Sequence, residues 1–282
     1  DVAVNLPGTS VYYPGKVTTN VYQGNVSYPL DRARSVRLSG GVRFDRIVVK
    51  ALDDASLKAE DRNLKFANLR VEYIYDNVLE KTQNIWNGLR YKFYLENITQ
   101  LEKPSGTGAG PRQQTLNFGG DARYYVPIYR NFIWAVRGAF DASWGNSKLI
   151  YYLGGADNWV DPKFNSENKP DPSVNYIYQS VAQNLRGFNQ NVSNGNNSLI
   201  FNSELRLPVF STLLNKPINN AFVRNFQLVQ FIDLGSAWEG TFSGLARPAV
   251  NYRSDDPNNP VLVRLKAGGV GPFAGGYGFG AR

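Results

Sequence analysis

The side chains that carry most enzyme chemistry are missing from this sequence. Its 282 residues include no Cys and no His. Cysteine nucleophiles, disulfides, thiolate or imidazole metal ligands and Ser–His–Asp catalysis are therefore excluded. No arrangement of a serine, a base and an oxyanion hole is recognisable among the remaining residues. We expect the chain not to be an enzyme, with no catalytic residues, no metal and no cofactor.

The charged residues instead suggest a structural ion pair. Arg186, in a long polar segment, presents a planar fork of donors that fits a carboxylate in bidentate geometry. Asp233 and Glu204 lie at polar positions of alternating segments, so both are candidate acceptors on an inward face. Gly187 would let the backbone turn tightly, and Gly235 would leave room for a segment packed against it. The alternatives are a solvated Arg186, an Asp233 that opens a turn, and a Glu204 in an ordinary ladder of polar side chains.

The elements that position these residues are predicted to be strands. Apolar and polar side chains alternate with period two along much of the chain. In the first such segment Leu38 and Phe44 share one face, and Arg43 lies on the other. The segments with this pattern are residues 36–46, 69–75, 89–96, 116–126, 132–144 and 199–207. Period two indicates β-strands, and no stretch shows a comparable 3.6-residue period. The sequence therefore predicts an all-β protein.

The length of these segments favours strands that cross a membrane. Several run for 9–13 residues, whereas soluble strands have typically ~5–6 residues and transmembrane strands ~9–11 residues. Aromatic residues such as Tyr75, Tyr124 and Trp144 lie near strand ends, as in the girdles of outer-membrane barrels. No run approaches ~18 apolar residues, so no transmembrane helix is predicted. A soluble β-sandwich, whose strands also alternate, is the competing interpretation.

The connections divide into short and long ones, as is typical of outer-membrane barrels. Residues 127–131 form a tight joint, and residues 76–88 form a moderate turn. Three polar segments rich in Pro, Gly, Asn and Asp are long, namely residues 102–112, 154–197 and 239–260. The longest of them is able to fold back into the lumen of a large barrel, which water, side chains or a loop must fill.

Three motifs occur in this chain in an order that is more specific for one protein family than any of the motifs alone. They are Leu185-Arg186-Gly187-Phe188, followed by residues 195–198 and 203–208; Phe231-Ile232-Asp233-Leu234-Gly235, followed by Ala237-Trp238; and Gly268-Gly269-Val270-Gly271-Pro272-Phe273, running into residues 276–280. Together they resemble the bacterial surface-antigen superfamily of outer-membrane barrels, of the BamA, TamA and two-partner-secretion transporter type. The likeness covers roughly residues 70–282. Leu185 replaces the usual Val or Ile of the loop motif and keeps its apolar character.

The resemblance implies a sixteen-stranded transmembrane antiparallel β-barrel with a long loop folded into its lumen. In such a barrel Arg186 would dock on Asp233, with Phe188 packed beside it. The complete lumen-loop anchor would comprise Arg186, Gly187, Phe188, Glu204, Asp233 and Gly235. Set against that family, we expect residues 1–282 to lack the last two strands of the barrel and any upstream soluble domain. We therefore expect residues 1–282 to form a single, incomplete barrel domain.

By the same resemblance, the function is insertion or translocation of other proteins by strand templating at a lateral seam, in the bacterial cell outer membrane. The implied partners are the lipid bilayer with anionic outer-membrane lipids, unfolded outer-membrane or secreted client proteins, and accessory assembly subunits. The formal charge of +8 comes without a basic run, so nucleic acid is not an expected partner. The alternative is a barrel that anchors a fused soluble domain, or a passive pore, without insertase activity.

Overall fold

The computed structural model describes residues 2–5, 12–59, 61–102, 111–156, 161–171, 173–214, 218–242, 250–253, 262–265 and 272–282. Within them the fold is nearly all antiparallel β-sheet, as the alternation predicted. The strands are β1 (Val2–Asn5), β2 (Tyr12–Pro29), β3 (Arg34–Val49), β4 (Arg62–Asp76), β5 (Leu79–Thr82), β6 (Ile85–Gln100), β7 (Gln114–Tyr129), β8 (Phe132–Gly145), β9 (Lys148–Leu153), β10 (Tyr176–Gln183), β11 (Ser193–Gly195), β12 (Asn197–Pro208), β13 (Gln227–Trp238), β14 (Val250–Arg253), β15 (Leu262–Leu265) and β16 (Ala274–Ala281). The helices are α1 (Asp54–Leu57), α2 (Val209–Leu213) and α3 (Ala221–Asn225).

One large sheet contains most of these strands. Its order is β1-β2-β3-β4-β6-β7-β8-β12-β13-β16, and β5 adds to β6 outside this path. Neighbours along the order pair antiparallel. Most neighbours are also consecutive in the chain, so the sheet is a meander. Longer connections interrupt it between β8 and β12 and between β13 and β16.

The large sheet covers its polar face and exposes its apolar face. On β4, Leu69 and Val71 are 54% and 44% exposed, whereas Glu72 on the other face is 6% exposed. On β13, Leu234 is 43% exposed and Asp233 is completely buried. The same alternation runs along β3, β6, β7, β8 and β12. Sheets of soluble proteins normally bury the apolar face, so this sheet has the opposite polarity.

The long connection between β8 and β12, residues 146–196, lies against the covered face, and we call it the insert. Residues 157–160 and 172 of this connection lie outside the described residues. The insert contains a second sheet of order β10-β9-β11, in which β10 is parallel and β11 antiparallel to β9. Its side chains Leu149, Tyr151 and Ile177 form a buried apolar cluster with residues of the large sheet. Those residues are Ile47, Leu64, Phe66 and Ile98.

A hairpin covers the same face near the opposite ends of the strands, and we call it the strap (residues 77–88). It consists of β5 and the start of β6, so a moderate turn was too simple a prediction. Ile85 of the strap is fully buried and packs on Tyr125, Ile133 and Ala135 of β7 and β8. Gly88, with φ of 123°, allows the chain to bend there, because this region of backbone conformation favours glycine.

The two ends of the large sheet differ in their connections. Short ones join β2 to β3 and β7 to β8, with Arg130 and Asn131 alone between the last pair. The expected long segments 102–112 and 239–260 lie partly outside the described residues, and Gly268-Gly269-Val270-Gly271 lies there entirely. Within the described part of the chain, no helix is long and apolar enough to cross a membrane.

Candidate functional site

Two candidate carboxylates lie side by side on the covered face of the large sheet. β12 and β13 pair so that Asn202 is opposite Asp233 and Glu204 is opposite Phe231. Directly opposite residues of antiparallel strands project to the same side, and so do residues two apart on one strand. Asp233 and Glu204 are therefore diagonal neighbours. The alternation that puts Leu234 outside puts both of them inside.

Arg186 of the insert reaches both carboxylates. Its Nε donates to Asp233 Oδ2 at 2.6 Å and its Nη2 donates to Asp233 Oδ1 at 2.8 Å, which is a bidentate fork. Its Nη1 donates to Glu204 Oε2 at 3.0 Å. Its backbone N–H donates to Asp233 Oδ2 at 3.3 Å. One arginine thus joins the insert to two adjacent strands.

This ion pair is largely shielded from water. The side chain of Asp233 is 1% exposed and that of Arg186 is 24% exposed. Burial by itself would lower the pKa of the Arg186 guanidinium, but the hydrogen bonds and charge of Asp233, together with Glu204, raise it above its ordinary value. The arginine therefore stays charged, and the attraction to both carboxylates persists at neutral pH.

Aromatic support for the guanidinium comes from Phe231. The Arg186 Cζ lies 3.9 Å from the centre of the Phe231 ring, a close cation–π contact. Phe188, which the resemblance placed beside the arginine, packs with Leu153 and Leu185 in an apolar cluster. Phe231 lies two residues before Asp233 and shares its inward parity. That spacing is the sequence signal that could have identified it.

The two glycines of the predicted anchor permit this approach in different ways, Gly187 by its backbone conformation and Gly235 by the space it leaves. Gly187 has φ of 92°, in the region that glycine adopts most easily. A Cβ at Gly235 would lie 3.0 Å from Cδ2 of Leu153 and 3.4 Å from Cδ1 of Leu185. A side chain at residue 235 would therefore crowd the insert.

Glycines of β16 also contribute, although the sequence analysis gave them no role. A Cβ at Gly276 would collide with the carbonyl oxygen of Arg186. A Cβ at Gly278 would lie 2.8 Å from Cζ of Phe231. The period-two spacing of these glycines was visible in the sequence. Only the pairing of β16 with β13 brings them to the anchor.

Glu204 links the anchor to the strap. Its Oε1 accepts a hydrogen bond from Arg206 Nε at 2.9 Å and lies 3.4 Å from Nη2 of Arg282. Arg206 also donates from Nη1 to the carbonyl oxygen of Asn84 at 3.0 Å, and its Cζ lies 5.1 Å from the centre of the Trp86 ring. A continuous series of contacts therefore runs from the insert through Glu204 to the strap.

The charged side chains of this site hold one another in position. Its guanidiniums and carboxylates contact one another, so each charge is stabilised by its partners. In the described part of the chain, no group of three or more His, Cys, Asp or Glu is placed to hold a metal ion. What the geometry provides is an anchor, because removing one partner of a buried pair costs about 3–5 kcal/mol.

No protein-family model matches the chain, and no curated protein gives a significant match. The resemblance to the surface-antigen superfamily therefore stays a prediction from the sequence motifs.

Proposed function

We propose that this chain is a β-barrel of the bacterial outer membrane that inserts or translocates other proteins by strand templating at a lateral seam. The observation that carries the proposal is the reversed polarity of the large sheet. Carboxylates and guanidiniums lie on its covered face, and large apolar side chains lie on its exposed face. The resemblance of the sequence motifs to the surface-antigen superfamily is what supports insertion or translocation as the proposed activity.

The exposed apolar face extends over most strands of the sheet. Some of its members, all between 37% and 54% exposed, are Leu69, Val71, Phe93, Leu95, Phe118, Trp134, Phe201 and Leu234. Soluble monomers rarely expose a contiguous apolar patch of more than a few hundred Å². Lipid contact would remove this surface from water at a gain of roughly 25 cal/mol per Å². A soluble sandwich would turn the same face inward, so the polarity favours a membrane.

A sheet in lipid must also close. Each unpaired backbone group costs several kcal/mol in the hydrocarbon region, so open sheet edges are not tolerated there. The described strand order runs from β1 to β16. We propose that this order is part of a closed barrel of the sixteen-stranded type, with the insert inside its lumen.

The anchor has a mechanical role in this proposal. Arg186 fixes the insert to β12 and β13 through Glu204 and Asp233, which stiffens that part of the wall. The barrel wall then opens only at a weaker seam elsewhere. At that seam an exposed strand edge pairs with a client strand by β-augmentation. The insert and the strap both lie over the covered face, so an open passive pore is the less favoured alternative.

Removal of the guanidinium tests this role. The full-length protein is reconstituted into lipid vesicles, a urea-unfolded outer-membrane barrel is added, and the rate of client folding is measured. The wild-type protein is expected to accelerate folding over empty vesicles, and Arg186→Ala is expected to lose most of that acceleration. Arg186→Lys keeps the charge without the planar fork and is expected to lie between them.

Arg46→Ala is the matched control, because the Arg46 side chain is 63% exposed and pairs with Asp61 away from the anchor. It is expected to fold clients at the wild-type rate. A wild-type rate for Arg186→Ala would remove the anchor from the mechanism. Ion currents through the wild-type protein without any client folding would replace the insertase by the pore.

A further inference from the structure

A chamber lies on the covered face between the strap and the insert. Its volume is about 340 Å³, within the range of small-molecule sites. Trp86 of the strap lines one side and Arg186 of the insert lines another. The rest of its lining comes from β7, β8, β12 and β13, from Ala156 and Asn184 of the insert, and from Arg282, which follows β16.

Guanidinium groups outnumber carboxylates around this chamber. The arginines that line it are Arg123, Arg137, Arg186, Arg206 and Arg282. The carboxylates that pair with them are Asp121, Glu204 and Asp233. Five guanidiniums thus share three carboxylates among these described side chains, which leaves two positive charges in excess.

The excess is local to this part of the covered face. A neighbouring cavity beneath β9 is balanced, with three cationic and three anionic side chains in its lining. Its cations are Arg70, Lys92 and Arg137, and its anions are Glu96, Asp121 and Asp141. The cavity on the strap side of β6 adds no compensating acid. Arg37, Arg90 and Lys92 outnumber Glu72 and Asp76 in its lining, and its other charged residues, Arg123 and Asp121, are those already counted for the chamber. Positive potential therefore concentrates in the chamber and toward the strap.

We infer that the chamber binds a compact oxyanion with two negative charges, such as phosphate or a phosphomonoester. Guanidinium forks match the oxygens of such an anion in bidentate geometry. Several guanidiniums that line one cleft strengthen the attraction, because a cleft lined by one sign of charge focuses the field on the anion. Trp86 and Tyr125, with ring centres 5.1 Å apart, close one side with aromatic surface. The inference goes beyond the proposed function, and it needs neither a client nor a seam.

The test is calorimetric titration of the full-length protein in detergent micelles with inorganic phosphate. The pH is slightly above neutral, and sodium chloride keeps the ionic strength constant. Saturable binding at one site is expected. Arg137→Gln removes one charge without touching the Arg186 anchor and is expected to weaken binding about tenfold, because a charge-assisted hydrogen bond is lost. Asp121→Asn increases the positive excess and is expected to tighten binding.

The opposite signs of these two effects separate a site from misfolding, which would weaken binding in both variants. Arg46→Gln removes the same charge on the exposed face and is expected to leave the affinity unchanged. Glycerol phosphate is titrated in parallel. Tighter binding of glycerol phosphate would indicate a lipid headgroup as the natural ligand, and tighter binding of inorganic phosphate would indicate the free ion. Absence of saturable phosphate binding, or equal affinities of Arg137→Gln and wild type, would overturn the inference. Client folding is not measured here, so a failure leaves the insertase proposal untouched.

Discussion

Two of the regions where the insert contacts the large sheet do so by different physics. In the apolar contact, Leu149, Tyr151 and Ile177 pack on buried aliphatic and aromatic side chains of β3, β4 and β6. In the charged contact, Arg186 binds Asp233 and Glu204 on β12 and β13. The first is non-directional, and its stabilisation follows the area removed from water. The second requires particular atoms to meet.

The difference assigns separate roles to the two regions. An apolar contact tolerates small shifts, because neighbouring arrangements bury similar area. A bidentate ion pair fixes the position of the insert, although its net contribution is small once both charges have been desolvated. The cost of losing one charged partner is nevertheless large. We infer that the apolar contact holds the insert down and the charged contact determines where it sits.

The largest effect is expected for Asp233→Ala, which leaves Arg186 without its bidentate partner. The opening free energy of the insert, from amide hydrogen exchange of β9 and β10, should fall by about 3 kcal/mol, at the low end of the range for broken buried pairs because Glu204 stays. The double variant Arg186→Met with Asp233→Leu should lie closer to wild type. An Asp233→Ala protein with unchanged exchange would show that the docked insert tolerates the loss of the bidentate partner of Arg186.

A smaller loss is expected when the apolar contact is broken by Leu149→Ala. The deleted methyl groups leave a cavity that strands cannot fully close, so the same opening free energy should fall by about 2–3 kcal/mol. Leu199→Ala is the control, because Leu199 lies on the exposed face and is 41% exposed. Equal losses in both variants would contradict a specific apolar contact.

The smallest effect is expected for Gly276→Ala, which tests how closely the insert must approach the sheet at the charged contact. Gly276→Ala puts a methyl group against the carbonyl oxygen of Arg186, so the insert must shift, at a cost of about 1–2 kcal/mol. Gly280→Ala on the same strand meets nothing within 4 Å and should change nothing. Hydrogen exchange of β9 and β10 again provides the readout. Identical behaviour of the two variants would show that residue 276 does not limit the approach of the insert.

The polarity of the six strands that contain the alternating segments was readable from the sequence, whereas β2, with 18 residues, was not among the predicted segments. Period two placed Leu69 and Val71 opposite Glu72, and the structure has the same faces. The same parity put Asp233 and Glu204 on one side of the sheet, where both contact Arg186. These predictions succeeded because the alternation of side chains is a local property of an extended backbone.

The insert and the strap show where local patterns stop being informative. β9, β10 and β11 have between three and eight residues each, too few for a periodic signal to separate from background. The strap was read as a turn, since nothing near residues 77–88 reveals that Ile85 will be buried on β7 and β8. Phe231 and Gly276 were quoted in motifs, but their contacts with Arg186 depend on strand pairing.

The sequence by itself determined the strand class, the two faces of the six strands with a long alternating pattern and the absence of His and Cys chemistry. These are properties of residue identity and of neighbours along the chain. The tertiary structure decided which inward charges meet, how the insert and strap cover them, and where five guanidiniums share three carboxylates. Residues 186, 204 and 233 are brought together by the register of paired strands and the path of a long connection, and both are set by the packing of the whole sheet.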